Sequence, residues 1–282
     1  LEQPSQSLEI IFIFTFLVQD YVYWFPAYRD ALHNLYRENR NKMKTSRNPR
    51  EPLRNQENTQ PKTTMQQKKW KAKGIFLDLD GTIVDSTDAY LEAARIASKA
   101  IGKNPLQTKT ALEIPKRIEQ GLSFSDLVEG DTKKFLSVYL KAYYSATEAK
   151  NKLLPNVSVT LEVLSAKYKL ALITMRHVPN EVIQKELDCL GIAKYFTHIV
   201  TALDTTKPKP SPEALIQCVK ALDLEMCDCI IAGDSVNDVR AGKAAGARTV
   251  AVLSGLYLCE ELAKECPDLI LPDVSSLPKF IK

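Results

Sequence analysis

The sequence predicts an α/β fold: a doubly wound parallel sheet covered by helices, with an α-helical cap inserted after the first strand. Three observations predict it. From Gly74 onward, short apolar runs alternate with segments of helical period, as in a parallel sheet whose crossovers are helices. The runs are apolar almost throughout rather than in alternation, which is how strands buried on both faces read. Two of them, "GIFLDLD" and "CIIAGD", end in acids, at the strand termini where open α/β sheets bind ligands.

Taken in order, "GIFLDLD" is the first strand, and "KLALITM", "HIVTAL", "CIIAGD", "RTVAVLSG" and the weaker "DLILPD" follow. Between them "PNEVIQKELDCLG", "SPEALIQCVKALDL" and "NDVRAGKAAGA" read as helices; in the second, Ser211 suits the N-cap and Pro212 the first helical position. One stretch departs from this rhythm. From Thr87 to about residue 151 no strand pattern occurs. Instead Ala89, Ala93, Ile96, Ala97 and Ala100 share one helical face, and Phe135, Tyr139, Leu140 and Tyr143 another. An all-helical insertion of this size is large enough to lie over a site. The expected organisation is therefore an N-terminal extension (1–70), an α/β core (71–87 and 152–282) and a helical cap (88–151).

Composition divides the chain near residue 70. All ten glycines lie between Gly74 and Gly255, both tryptophans at or before Trp70, and residues 1–73 carry a net charge of +6 against −2 for the remainder. The apolar stretch "EIIFIFTFLVQDYVYWF" is interrupted at Asp20 and no Lys or Arg precedes it. A bilayer span needs about 20 apolar residues and a signal peptide a basic start, so neither is expected. Residues 37–73 are rich in Asn, Gln, Lys, Arg, Pro and Thr, and read as a disordered basic linker. Met65, nine residues before the first strand, is a candidate natural start; the other reading is a true extension that touches a partner, a membrane surface or nucleic acid. Nucleic acid is not the expected partner, because no aromatic-basic interleaving or zinc spacing is present. The six cysteines form no CxxC pair or regular framework, as in a reduced, cytoplasmic protein. Cys227 and Cys229 read as ordinary thiols rather than metal ligands.

The acids at the strand ends carry the chemistry. Residues two apart in a strand project to one side, so Asp78 and Asp80 should emerge together, with Asp234 and Asp238 at the same rim. Carboxylates gathered there would repel one another and lose hydration. Mg²⁺ answers both problems, since it takes oxygen ligands and keeps waters and substrate phosphate as partners. Asp85 and Asp88 read as local turn and helix-start residues.

"DLDGT" at 78–82, Thr174 after "LALI", "KPKP" at 207–210 and "GDSVND" at 233–238 resemble, in order, the four motifs of the haloacid dehalogenase superfamily. "LLPNVSVTLEVLSAKYKLALIT" resembles its phosphoglycolate-phosphatase-like branch. The resemblance implies a Rossmann-like core and a phosphatase of small phosphorylated metabolites that depends on Mg²⁺. It implies Asp78 as the nucleophile that forms an aspartyl-phosphate and Asp80 as the general acid and base. Thr174 and Lys207 would bind the phosphoryl group. Asp78, the backbone carbonyl of Asp80, Asp234 and Asp238 would hold the metal. Of the two lysines in "KPKP", the family pattern selects Lys207, which leaves Lys209 as a solvated loop charge.

Alternatives of the same fold are a phosphosugar mutase or a pyrophosphatase; from a different class, a non-catalytic binding scaffold. Asp80 argues against a dehalogenase, whose halide leaves without a proton. Lys116 and Arg117 would suit a carboxylated substrate such as phosphoglycolate, although both read equally as solvated helix charges. After Thr174 the chain has "MRH" where relatives commonly show a small polar residue, making Arg176 and His177 further candidates for substrate contact. Oligomeric state is not legible.

Overall fold

The computed structural model describes residues 69–150 and 152–282. The apolar segment, most of the basic linker and Met65 lie outside the described residues. Trp70, counted above with the extension, is pinned to the body: its N–H donates to the Phe280 carbonyl at 2.8 Å, its carbonyl accepts from Lys282 at 2.8 Å, and Arg248 lies over its ring.

In chain order the elements are β1 (Gly74–Leu77), β2 (Val84–Asp85), α1 (Thr87–Ala100), α2 (Thr108–Glu119), α3 (Thr132–Lys150), β3 (Lys152–Leu153), α4 (Val157–Ser165), β4 (Lys169–Ile173), α5 (Asn180–Cys189), β5 (His198–Val200), α6 (Glu213–Leu222), β6 (Cys229–Gly233), α7 (Val236–Ala245), β7 (Arg248–Val252), α8 (Cys259–Lys264) and β8 (Leu269–Leu271). Each of the six strand patterns forms a strand. They assemble into one parallel sheet ordered β5-β4-β1-β6-β7-β8. The order reverses at β1, which is where a doubly wound sheet opens a crevice at its carboxyl edge.

Period-two alternation divides the core into two layers. Ile75 and Leu77 of β1, Leu170 and Leu172 of β4, and Ile230 of β6 pack with Leu161 and Leu164 of α4 and Ile183 and Leu187 of α5. Phe76, Ala171, Ile173 and Ile231 face the other way, onto Ala214, Leu215 and Cys218 of α6 and Ala241 of α7. Each fully buried Leu or Ile contributes roughly 1.5–3 kcal/mol, so the central strands are held from both sides. The α6 helix begins at Glu213, one residue later than expected. Ser211 still serves its start, because its hydroxyl accepts the Glu213 N–H at 3.3 Å.

The insertion is helical, and α1, α2 and α3 form a core of their own. Ala89, Ala93 and Ala97 of α1 are small enough to admit Phe135, Tyr139 and Tyr143 of α3, and Tyr90 stacks on Tyr143 with ring centroids 5.0 Å apart. Both connections to this insertion run through one short antiparallel ribbon, in which Val84 pairs with Leu153 and Asp85 with Lys152. The sequence did not announce this ribbon, since two-residue strands leave no period to read. Among the described residues, no helix is long and apolar enough to cross a membrane, and the cysteines are all free thiols.

Candidate active site

β1 ends at Leu77, and Asp78 follows as its carboxyl terminus; the Asp78 N–H still donates to Ala232 of β6 at 3.0 Å. β6 ends at Gly233 and delivers Asp234 beside it. Both carboxylates are buried. Asp238 enters from the first turn of α7, where its Oδ2 accepts the Ser235 N–H at 3.1 Å in a capping box. Helix capping and site building are thus done by one side chain. Ligand oxygens of Asp78, Asp234 and Asp238 all lie within 4.8 Å of one another.

Glycines make that approach possible. A Cβ on Gly255 would stand 1.7 Å from Asp234 Oδ2, and one on Gly233 only 2.1 Å from the Asp238 carboxyl. Thr82 donates to Asp234 Oδ1 at 3.4 Å and the Leu256 N–H to Oδ2 at 3.3 Å. Burial, reinforced by Asp78 and Asp238, pushes the Asp234 carboxyl well above the usual range. Burial does the same to Asp78, opposed chiefly by Lys209. Such a crowded, dehydrated oxygen set fits a small hard cation.

The lysine in the site is Lys209, not Lys207. Its Nζ donates to Asp78 Oδ1 at 2.5 Å, to Asp238 Oδ1 at 2.6 Å and to the Ile173 carbonyl at 3.3 Å, and the residue is 3% exposed. Lys207 is exposed. Glu213 accepts the backbone N–H groups of Thr206 and Lys207 at 2.8 and 3.0 Å, holding that part of the loop outward at the start of α6. With two Lys-Pro steps in succession, the expectation of a solvated Lys209 is overturned by loop geometry that sequence spacing does not carry.

Thr174 is buried just past β4. Its N–H donates to Val200, and its hydroxyl accepts the Arg176 N–H at 3.1 Å.

The Asp80 carboxylate stands outside the set of Asp78, Asp234 and Asp238. The strand has already ended, and a tight turn follows in which the N–H groups of Ile83 and Val84 both donate to the Leu79 carbonyl. The Asp80 carboxylate is gripped at both oxygens by Arg176, from Nε at 2.8 Å and Nη2 at 2.7 Å. It also accepts from the Ser86 hydroxyl. Burial alone would raise its proton affinity; the Arg176 guanidinium outweighs that and holds the carboxyl below its ordinary range. Arg176 is itself 4% exposed, pairs through Nη1 with buried Glu186 of α5, and lies over the Tyr143 ring at 5.8 Å.

A model of the haloacid dehalogenase-like hydrolase family matches residues 75–252. The chain belongs to that family. Phosphoglycolate phosphatase 1 of Pseudomonas aeruginosa is 28% identical over 213 residues, spanning 72% of this chain and 77% of that protein. Phosphoglycolate phosphatase of Aquifex aeolicus is 29% identical over 208 residues, spanning 73% and 95%. A solved haloacid dehalogenase-like hydrolase of Streptococcus pneumoniae, 24% identical, shares the fold with a TM-score of 0.63 over 73% of this chain and 97% of that one.

In this hydrolase, sequence reasoning missed Glu119 at the end of α2. Its carboxylate accepts from the Ser235 hydroxyl, and its backbone carbonyl accepts from Asn237 Nδ2 at 2.9 Å. Burial, then the charge of Asp238, pushes its pKa up to about 7. Nothing in "RIEQG" distinguishes this acid from a surface one. Lys116 and Arg117, the basic candidates nearby, are committed elsewhere. Lys116 donates to both oxygens of Glu261 at 2.7 and 2.9 Å, while Arg117 pairs with Asp126 at 2.6 Å. His177 lies in the loop beside Arg176, its N–H donating to the Tyr144 hydroxyl at 3.1 Å.

Proposed function

We propose that this hydrolase is a Mg²⁺-dependent phosphatase that cleaves a small phosphomonoester by way of an aspartyl-phosphate on Asp78. The observation that carries the reading is the buried oxygen set of Asp78, Asp234 and Asp238 with Lys209 between two of its members. The relatives named for phosphoglycolate put that compound first among substrates.

Asp78, Asp234 and Asp238, with the backbone carbonyl of Asp80, would hold Mg²⁺. When bound, the cation supplies positive charge against the acids and the phosphoryl oxygens. An Asp78 oxygen attacks phosphorus as the bond to the leaving oxygen breaks, which divides the displacement into two easier steps. Freed from Arg176, the buried Asp80 carboxylate takes up a proton from solvent, gives it to the leaving oxygen, and then takes one from the water that attacks the acyl phosphate. Lys209 and Thr174 hold the phosphoryl oxygens as negative charge moves among them.

The test is release of inorganic phosphate from an aryl phosphate with and without Mg²⁺, alongside Asp78→Asn. Turnover that needs the cation and disappears in the variant is expected. Equal turnover by Asp78→Asn would overturn the covalent mechanism, and no turnover on a broad phosphoester panel would favour a binding scaffold.

A further inference from the structure

As held, Asp80 cannot serve a leaving oxygen without giving up its bonds to Arg176 and Ser86. Its departure would strand the Nε and Nη2 donors of a buried guanidinium. Arg176 would keep Glu186 on Nη1, so its charge stays balanced while its planar fork stands open. Unpaired buried donors of this kind are costly, and a carboxylate is the group whose two oxygens match the fork.

A second observation points to the same place. The Tyr139 hydroxyl, on a residue 2% exposed, has no hydrogen-bond partner among the described residues, and it feels the charge of Asp80. A buried hydroxyl left so is rare in native proteins. Lys116 and Arg117 are meanwhile bound to acids that do not belong to the site, whereas Arg176 is bound to Asp80 itself and lies over the Tyr143 ring of α3.

We infer that Arg176 receives a carboxylate carried by the leaving group of the substrate, which takes the seat that Asp80 vacates when it turns to the leaving oxygen. The inference rests on the phosphatase reading and narrows it to phosphomonoesters that bear a carboxylate. The carbon spacer is short, because Asp78 and Asp80 are two residues apart and their Cα atoms at most about 7 Å distant. The exchange is balanced in charge: one carboxylate replaces another on the same guanidinium, and Tyr139 gains an acceptor. An uncharged leaving group leaves the fork open.

The experiment measures binding, so that it stands apart from turnover. In the Asp78→Asn protein with Mg²⁺, calorimetry compares 2-phosphoglycolate with its amide, 2-phosphoglycolamide, and with ethyl phosphate. The carboxylate should bind at least about 30-fold more tightly than either. Adding Arg176→Gln should bring the three within about threefold of one another, Arg176→Lys should keep only part of the preference, and Tyr139→Phe should weaken the carboxylate alone. Circular dichroism melting checks that each variant folds. If Arg176→Gln does not fold, the three-ligand comparison in the Asp78→Asn protein still decides. Equal affinity for carboxylate and amide there, or an unchanged preference in folded Arg176→Gln, would overturn the inference. Absence of phosphate release by the wild type would instead count against the phosphatase reading alone.

Discussion

Lys209→Met removes a charge from the centre of the site while keeping most of the stem. The ammonium stands 2.5 Å from Asp78 and 2.6 Å from Asp238, with 1% of its side chain exposed. At an effective dielectric of about 20, each contact is worth roughly 6 kcal/mol in gross attraction. Removal of three ions from water offsets most of that. What the substitution exposes is the remainder, two buried acids with their compensating cation gone, and breaking such a pair costs roughly 3–5 kcal/mol. For a body of this size the melting temperature should fall by roughly 6–20 °C in EDTA. Mg²⁺ should recover part of the loss, because it neutralises the same acids. Loss of a preorganised positive charge at the phosphoryl group should lower kcat by about 10²–10³-fold. Lys207→Met, at an exposed position, should melt within about 0.5 kcal/mol of wild type and turn over normally. The assays are circular dichroism melting with and without Mg²⁺ and phosphate release from an aryl phosphate. A Lys209→Met protein that matches wild type in both, or a Lys207→Met protein that loses turnover, would refute the reasoning.

Mg²⁺ itself should raise the melting temperature, since at 100 times Kd a ligand bound to the folded form adds about 2.7 kcal/mol; Asp234→Asn should remove most of that shift in a thermal titration. Gly255→Ala should displace Asp234, because the added Cβ would fall 1.7 Å from its Oδ2; a loss of about 1–3 kcal/mol on melting and a weaker Mg²⁺ response are expected. Glu119 gives a pH dependence in EDTA. Its folded pKa of about 7 lies above the ordinary 4.5, so the folded form binds the extra proton between those values. Its contribution is therefore complete below 4.5 and lost as pH rises through 7. Glu119→Gln should flatten that decline in denaturant melts taken from pH 5 to 8.

The sheet was legible in the sequence because strands buried on both faces leave unbroken apolar runs, and "CIIAGD" and "GIFLDLD" declare both the strand and its acidic end. Asp78, Asp234 and Asp238 come together for that reason: adjacent parallel strands deliver their termini to one edge. The Asp80 carboxylate stands outside that set, on Arg176, beyond the reach of period-two reasoning, since β1 stops at Leu77. Lys209 was hidden by repetition, as "KPKP" offers two equivalent lysines and only the folded loop chooses. Arg176 left a trace, a large basic residue two places after Thr174, yet its partners Glu186 and Tyr143 sit on helices whose faces toward this loop no local pattern marks.

The two-stranded ribbon of Val84–Asp85 and Lys152–Leu153 has a consequence for how such an enzyme changes over time. The chain leaves for the insertion and returns from it at a single pair of hydrogen-bonded steps, so everything between them is attached to the body as a sleeve is to a cuff. Lengthening, trimming or replacing that segment would redraw the wall facing Arg176 while Asp78, Thr174, Lys209 and Asp234 stay anchored to β1, β4, β6 and their loops. The wall over the site and the residues beneath it thereby occupy parts of the gene that can vary at separate rates.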